Sequence, residues 1–298
     1  FLIAAVGALA WFAWQSRDLL LEILQGARPG YLLASMLVWL LMNLVAAAFT
    51  SVAFRALGAS MTLPEAARIH VSNLPARYLP GGVWHTVGRA ADYRAAGIGA
   101  KPISLFVFIE NALAACVALI LGGILLAITR GNDDWTLIAL AAAFGAGIVL
   151  LLLPLMLSRV AQKTDPQPTL RTHLSLVVLT IVSWSIAATA FIVYVGAFPG
   201  IATTPAPLEI AGGYLFSWGV GFIAIFAPQG IGVFEVVAAD LLRGTAPLMG
   251  IAALLAGFRL IILAADALAW VGLQGLSGLA VGQRRDLLGD QPDQEDNH

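Results

Sequence analysis

Charge is scarce in this chain. Aspartate, glutamate, lysine and arginine make up 11% of its 298 residues, against ~25% in an ordinary soluble domain. So few charges cannot cover a surface that faces water. With 60% hydrophobic residues and a mean hydropathy of +0.88, the chain reads as an all-α integral membrane protein. Positive charge is not in excess either: 16 Lys+Arg face 17 Asp+Glu, a net charge of −1, which excludes a basic nucleic-acid binder. Cys116 is the single cysteine, so an internal disulfide framework and a cysteine-based metal cluster are both excluded. The four histidines, His70, His85, His173 and His298, are scattered, with no helical pair at ligand spacing. No GxxxxGK[ST] nucleotide motif occurs, and neither a metal nor a cofactor is expected.

Long apolar runs are what the chain has in abundance. A bilayer core needs about 20 apolar residues per spanning helix. Runs of that kind are Tyr31–Phe54, Pro102–Ile128, Trp135–Leu157, Leu174–Phe198 and Leu248–Ala280. Phe1–Trp14 reads as the tail of a sixth span, because Trp11 and Trp14 suit an interfacial belt; a chain opening on Phe1 inside an apolar run is expected to lack residues before it. Two segments break the pattern. Thr62–Gly97 mixes Arg68, His70, Asn73, Arg77, His85 and Arg89 with Leu, Val and Trp. Leu208–Leu242 is apolar and then interrupted by Pro228, Gly230 and Gly232.

Each odd segment contains a proline-glycine break, Leu79-Pro-Gly-Gly-Val-Trp84 and Ala227-Pro-Gln-Gly-Ile-Gly232. Pro80 lies 30 residues before Glu110, and Pro228 lies 31 before Arg259. One transmembrane domain, 1–282, is therefore expected to be a polytopic helical bundle of two repeats, about 1–130 and 131–282. An acidic disordered tail, 283–298, follows. Each repeat would hold three spanning helices and one broken re-entrant hairpin. Three spans is an odd number, so the second repeat is inverted. With the N-terminus inside, the outer side carries Arg17, Arg28, Arg130 and Arg243, Arg259 lies within a span, and the other eleven of the sixteen Lys+Arg face the inside, as the positive-inside rule requires. Paired breaks in two halves point to a transporter binding site. A surface-lying amphipathic helix is the other reading of Thr62–Leu79, and Thr62-Leu-Pro-Glu65 suits a capping box in both.

The candidate chemistry gathers around the breaks. Arg77 and Arg89 flank a glycine turn at Gly81 and Gly82, with a helix start expected near Val83. Free N–H groups there, with two guanidiniums, suit a phosphate; equally, the glycines can serve only the turn and the arginines can reach lipid phosphates. Glu110 and Arg259 are charges deep in apolar helices, which is costly. At ~1.5 Å per residue they lie at similar depth, so a central ion pair between them is expected. Asp266 is expected near the inner surface, where solvation accounts for it. Glu235 is expected to cap the helix after the second break. Asn73 and Asn111 are expected to bond between helices; His85 near the first tip has two readings, a group that titrates near neutrality and, more commonly for such a histidine, one that is simply hydrogen-bonded. Trp39, Trp184, Trp218 and Trp270 read as packing or belt residues.

Tyr78-Leu-Pro-Gly-Gly-Val-Trp84 with Arg89, then Glu110, then Pro228-Gln-Gly-Ile-Gly-Val-Phe-Glu235 with Arg259, resemble the transmembrane region of the lysylphosphatidylglycerol synthase family, also called flippase-like domain proteins. The resemblance spans about residues 31–275. It implies a polytopic inner-membrane protein that moves lipids, either an aminoacylated phospholipid or an isoprenoid-phosphate lipid. Two departures stand out. Gln229 occupies a position where the family pattern leads one to expect glycine, and Phe234 one where it leads one to expect arginine. The basic side of the site then rests on Arg77, Arg89 and Arg259. These 298 residues contain no soluble synthase domain, so no synthase activity is expected of them.

The reading of the sequence is thus an inner-membrane translocase for an anionic, phosphate-containing lipid, not an enzyme. Its binding residues would be Arg77, Gly81, Gly82, Arg89, Glu110, Glu235 and Arg259. A secondary transporter of a small anion is one alternative. A non-transporting scaffold for a glycosyltransferase or lipid-modifying enzyme is the other.

Overall fold

A computed structural model describes residues 26–79, 83–160, 169–199, 206–224, 232–242 and 248–289. The described residues are helical, without strands. Five helices are long and apolar enough to cross a membrane, the architecture of a multi-pass helical membrane protein. In chain order the helices are α1 (Pro29–Ala56), α2 (Leu63–Ser72), a 3-10 turn (Leu74–Tyr78), α3 (Trp84–Ala95), α4 (Ala100–Arg130), α5 (Asp134–Val160), α6 (Leu170–Val195), α7 (Pro207–Ile223), α8 (Val233–Leu241) and α9 (Leu248–Gly289). Five apolar runs seen in the sequence become α1, α4, α5, α6 and α9. The run Phe1–Trp14 lies outside the described residues. Helix α9 continues to Gly289, so residues 283–289 of the expected disordered tail are helical instead; the remainder of that tail lies outside the described residues.

Local chemistry sets the helix starts. Proline opens α1 and α7 at the first helical turn, where no amide hydrogen is required. The Thr62 hydroxyl accepts from Glu65 N–H, and Glu65 Oε2 accepts from Thr62 N–H at 2.9 Å, closing the expected capping box of α2. Asp133 accepts from Thr136 N–H at 2.7 Å and caps α5. Hydrogen bonding by Thr136, through its side chain and its N–H, followed by Arg130, pulls the carboxyl down to about 2.

Contacts locate the two ends of the bundle. Ser51 near the end of α1 donates to Met61 C=O at 2.8 Å, just before α2. Tyr93, near the end of α3, packs edge-on against Phe54 of α1 at 4.7 Å, and Phe54 stacks on Phe106 of α4. Ile98, Ile103 and Leu157 share that cluster. Entry to and exit from the first interrupted segment therefore both lie beside the end of α1, the start of α4 and the end of α5. At the other end, Arg130 donates to Leu241 C=O at 2.6 Å and the Trp135 indole to Asp240 at 2.5 Å. Helix α7 runs antiparallel to α4, with Gly212 against Leu126, Phe216 against Gly122 and Gly219 against Leu119. Entry to and exit from the second interrupted segment therefore both lie beside the end of α4.

The α4–α7 contact has almost no room. A Cβ on Gly122 would sit 2.4 Å from the backbone nitrogen of Phe216, so glycine is what lets the two backbones meet. The second cluster is aromatic: Trp39, Trp184, Phe191, Tyr194, Tyr214, Phe234 and Phe258 join α1, α6, α7, α8 and α9. The outer faces are apolar and open, with Leu151 78%, Phe144 73% and Ile128 69% exposed. Such faces require lipid rather than water around them.

Candidate functional site

Three ion pairs tie the interrupted segments to long helices. In the first, Arg89 on α3 grips Glu110 on α4 through two parallel bonds, Nη1 to Oε1 at 2.8 Å and Nη2 to Oε2 at 2.6 Å. Arg89 is 4% exposed, and its guanidinium also lies 5.6 Å from the Phe106 ring centre. A forked pair of this kind is the strong form of the interaction. Glu110 is less deep, with a quarter of its side chain exposed.

The second pair is Arg259 of α9 with Glu235 of α8. Glu235 also accepts from Gly232 N–H at 2.7 Å, the expected capping role. Gly232 starts the helix at φ +92°, a conformation that side chains rarely adopt. The Arg259 guanidinium lies 5.8 Å from the Phe234 ring centre. The aromatic residue at the position where arginine was expected is thus a buried platform for the arginine of the next helix.

The third pair joins the two halves. Asp266 of α9 is 2% exposed. It accepts from Arg77 Nη1 at 3.0 Å and from the Tyr78 hydroxyl at 2.9 Å. The expectation that solvent accounts for Asp266 is overturned: a carboxylate with no water needs donors, and the 3-10 turn supplies two.

The central pair expected between Glu110 and Arg259 does not form, because each charge is met by the short helix that precedes its own span. A similar position along two helices says nothing about which neighbour lies alongside. Arg77 and Arg89 were expected to be open to a phosphate; both already hold a carboxylate. Asn73 bonds between helices as expected, donating to Asp92 Oδ2 at 2.7 Å. Asn111 does not: it is exposed and donates to Val107 C=O in its own helix at 2.8 Å. Trp39 and Trp184 are buried packing residues, the latter donating to Ala114 C=O at 2.9 Å. Gly81, Gly82 and Pro80, with Pro228 to Gly230, lie outside the described residues.

One group was missed from the sequence. The His70 and His85 rings meet edge to face at 5.6 Å, across the contact of α2 with α3. His70 Nδ1, His85 Nε2 and Arg89 Nε are buried without a hydrogen-bond partner among the described residues. Burial, together with the charges of Arg77 and Arg89, disfavours a proton on either ring. Helical periodicity across a break of uncertain geometry could not have revealed that two histidines fifteen positions apart meet. No metal-binding group of three or more His, Cys, Asp or Glu occurs among the described residues. No known family model and no curated protein matches the chain.

Proposed function

We propose that the chain is a lipid translocase built from two inverted repeats, carrying an anionic phosphate-containing headgroup between its interrupted segments while the acyl tails stay in the bilayer. In this reading α1 through α4 correspond to α6 through α9, and the two breaks are tips of re-entrant hairpins entering from opposite faces. The paired ends of each interrupted segment support that. So does the matched chemistry. In each half the short helix after the break and the following span share one Arg–Glu pair, with the sign reversed: Arg89–Glu110 in the first, Glu235–Arg259 in the second. Each arginine lies over a phenylalanine. The ring pair His70–His85 has its counterpart in Trp218–Phe234, centroids 5.1 Å apart, at offsets of 148 and 149 positions, beside 149 for Glu110 and Arg259.

The single observation that carries the reading is this sign-reversed pair at each break. A guanidinium fork that holds a carboxylate presents the geometry that a phosphate takes. An incoming headgroup can therefore exchange with Glu110 on Arg89, and with Glu235 on Arg259, and the carboxylate that it displaces must then be neutralised, because a lone charge in the membrane interior is costly. Leu79, Val83, Trp84 and Val87 around the first break, and Ile223 and Val236 around the second, are exposed apolar residues. A polar path flanked by such residues suits an amphiphile better than a soluble anion. Location in an inner membrane is part of this proposal through the resemblance, the absence of catalysis through the lack of a visible nucleophile–base spacing in the sequence, and a partner such as a glycosyltransferase belongs to the scaffold alternative.

The test is reconstitution. Proteoliposomes containing fluorescent phosphatidylglycerol should lose more than half of their signal to an external quencher, as both leaflets become accessible. Phosphatidylcholine should be moved more slowly. Uptake of soluble phosphate without lipid movement would favour the small-anion carrier, and neither activity would favour the scaffold.

A further inference from the structure

On either side of the first break, the arginines Arg77 and Arg89 are joined by the ring pair His70–His85. The charges that act on both rings are those of Arg77 and Arg89, and the groups tied to these arginines or packed beside them come from every element around. Helix α3 brings Arg89, Tyr93 and, through Asn73, Asp92. The 3-10 turn brings Arg77 and Tyr78, α9 brings Asp266, and α4 brings Glu110. Helix α1, packed on α2, has Arg55 as its only charge, exposed at its far end. Arg89 is matched by Glu110 and Arg77 by Asp266. Asp92 adds a further negative charge. Among the described residues, the cluster thus has no spare positive charge with which to meet an anion.

A phosphate that enters this cluster brings a negative charge into a buried place. Exchange on the arginine solves the geometry but frees a carboxylate, so the cluster, already one negative charge over with Asp92, gains a second one with the anion. The neutral bases on hand are the two imidazoles, each with a buried nitrogen that lacks a partner among the described residues. We infer that His70 and His85 complete the phosphate site of the first hairpin and take up a single proton between them as the anion binds. This rests on the translocase reading and gives it a coupling ion. The proton passes from bulk water to an imidazole nitrogen on binding, and the imidazolium N–H then donates to a phosphate oxygen. When the phosphate leaves, the proton returns to water. Burial and the two guanidiniums keep the rings neutral in the empty site, so the proton arrives with the anion and not before it.

The probes must not titrate themselves. Dimethyl phosphate and dihexanoyl phosphatidylglycerol are both phosphodiesters that keep one negative charge between pH 6 and 8. Calorimetric titration of the full chain in detergent, in two buffers of different ionisation heat, reads protons taken up per anion bound. The expected result is close to one proton per phosphodiester, with binding tightening about tenfold for each unit that pH falls through this range. Binding of both probes identifies the phosphate group alone as the ligand, and binding of the lipid alone identifies the headgroup of a lipid; either supports the site. His70→Asn/His85→Gln should bind more weakly, with no proton uptake and no pH dependence. His85→Gln alone, which leaves α2 untouched, should lose most of the uptake. Binding by the wild-type chain without proton uptake overturns the inference, as does uptake that persists in both variants, which would put the proton on Glu110 or Asp266. No binding of either probe overturns it as well. Lipid movement in proteoliposomes decides the translocase reading separately: movement without proton uptake removes this inference and leaves that reading standing.

Discussion

At the scale of single residues, the account depends on which charge holds which. Arg89 is almost fully buried against Glu110, whereas Arg259 and Glu235 each keep about a third of their side chains exposed. Breaking a buried pair by removing one partner costs about 3–5 kcal/mol, while a half-open pair contributes ~1 kcal/mol or less. Arg89→Gln should therefore lower the thermal midpoint in detergent well beyond the effect of Arg259→Gln. A double-mutant cycle over Arg89 and Glu110 should show a coupling above about 1 kcal/mol, and one over Glu110 and Arg259 should show additivity. Coupling in the second cycle and none in the first would reverse the assignment. That each of these residues matters was legible in the sequence, because a charge inside an apolar run is costly wherever it lies. Their pairing was not legible, since partners are chosen by how the short helices pack, and no periodicity encodes that. Asp266 shows the same limit: it is shielded from solvent by Arg77 and Tyr78 of the 3-10 turn, residues picked out in the sequence for another role and with nothing there to mark α9 as their partner.

At the scale of elements, run length and break position were enough to bound α1, α4, α5 and α6 to within a few residues, since apolar length and proline-glycine breaks act locally. The capping box of α2 and the start of α3 were readable for the same reason. What the sequence could not tell was the closeness of α4 to α7, which depends on a glycine of one helix meeting the backbone of the other across 94 positions of chain, Gly122 against Phe216. Gly122→Val should force those backbones apart and depress the thermal midpoint by more than Gly145→Val, a site with open space around it. Equal effects would mean that the contact is not close. The cap of α5 makes a pH prediction. The Asp133 carboxyl is held below its ordinary value, so its support for α5 is complete above about pH 4 and is lost as pH falls towards 2. Asp133→Asn should flatten the acid limb of a stability profile; a limb that is unchanged would assign it to other groups.

At the scale of the whole molecule, the proposal routes the headgroup between the two interrupted segments, each of which is tied to a long helix by one Arg–Glu pair. The topology can be checked in a Cys116→Ala background, since the native thiol is buried. Cysteines at the exposed positions Ser60 and Ala96 should react from one face of the membrane, and one at Asn132 from the other. Reaction of Ser60 and Ala96 from opposite faces would make the first segment a full crossing. The most direct measurement is the rate of phosphatidylglycerol movement in proteoliposomes for the wild-type chain, for Arg89→Ala/Glu110→Ala and for Glu235→Ala/Arg259→Ala, at equal reconstituted amounts. Removing both members of a pair leaves no stranded charge, so the fold is spared while the anion loses its guanidinium. The account predicts that each double variant moves the lipid at least tenfold more slowly than wild type. Rates equal to wild type in both variants would contradict it.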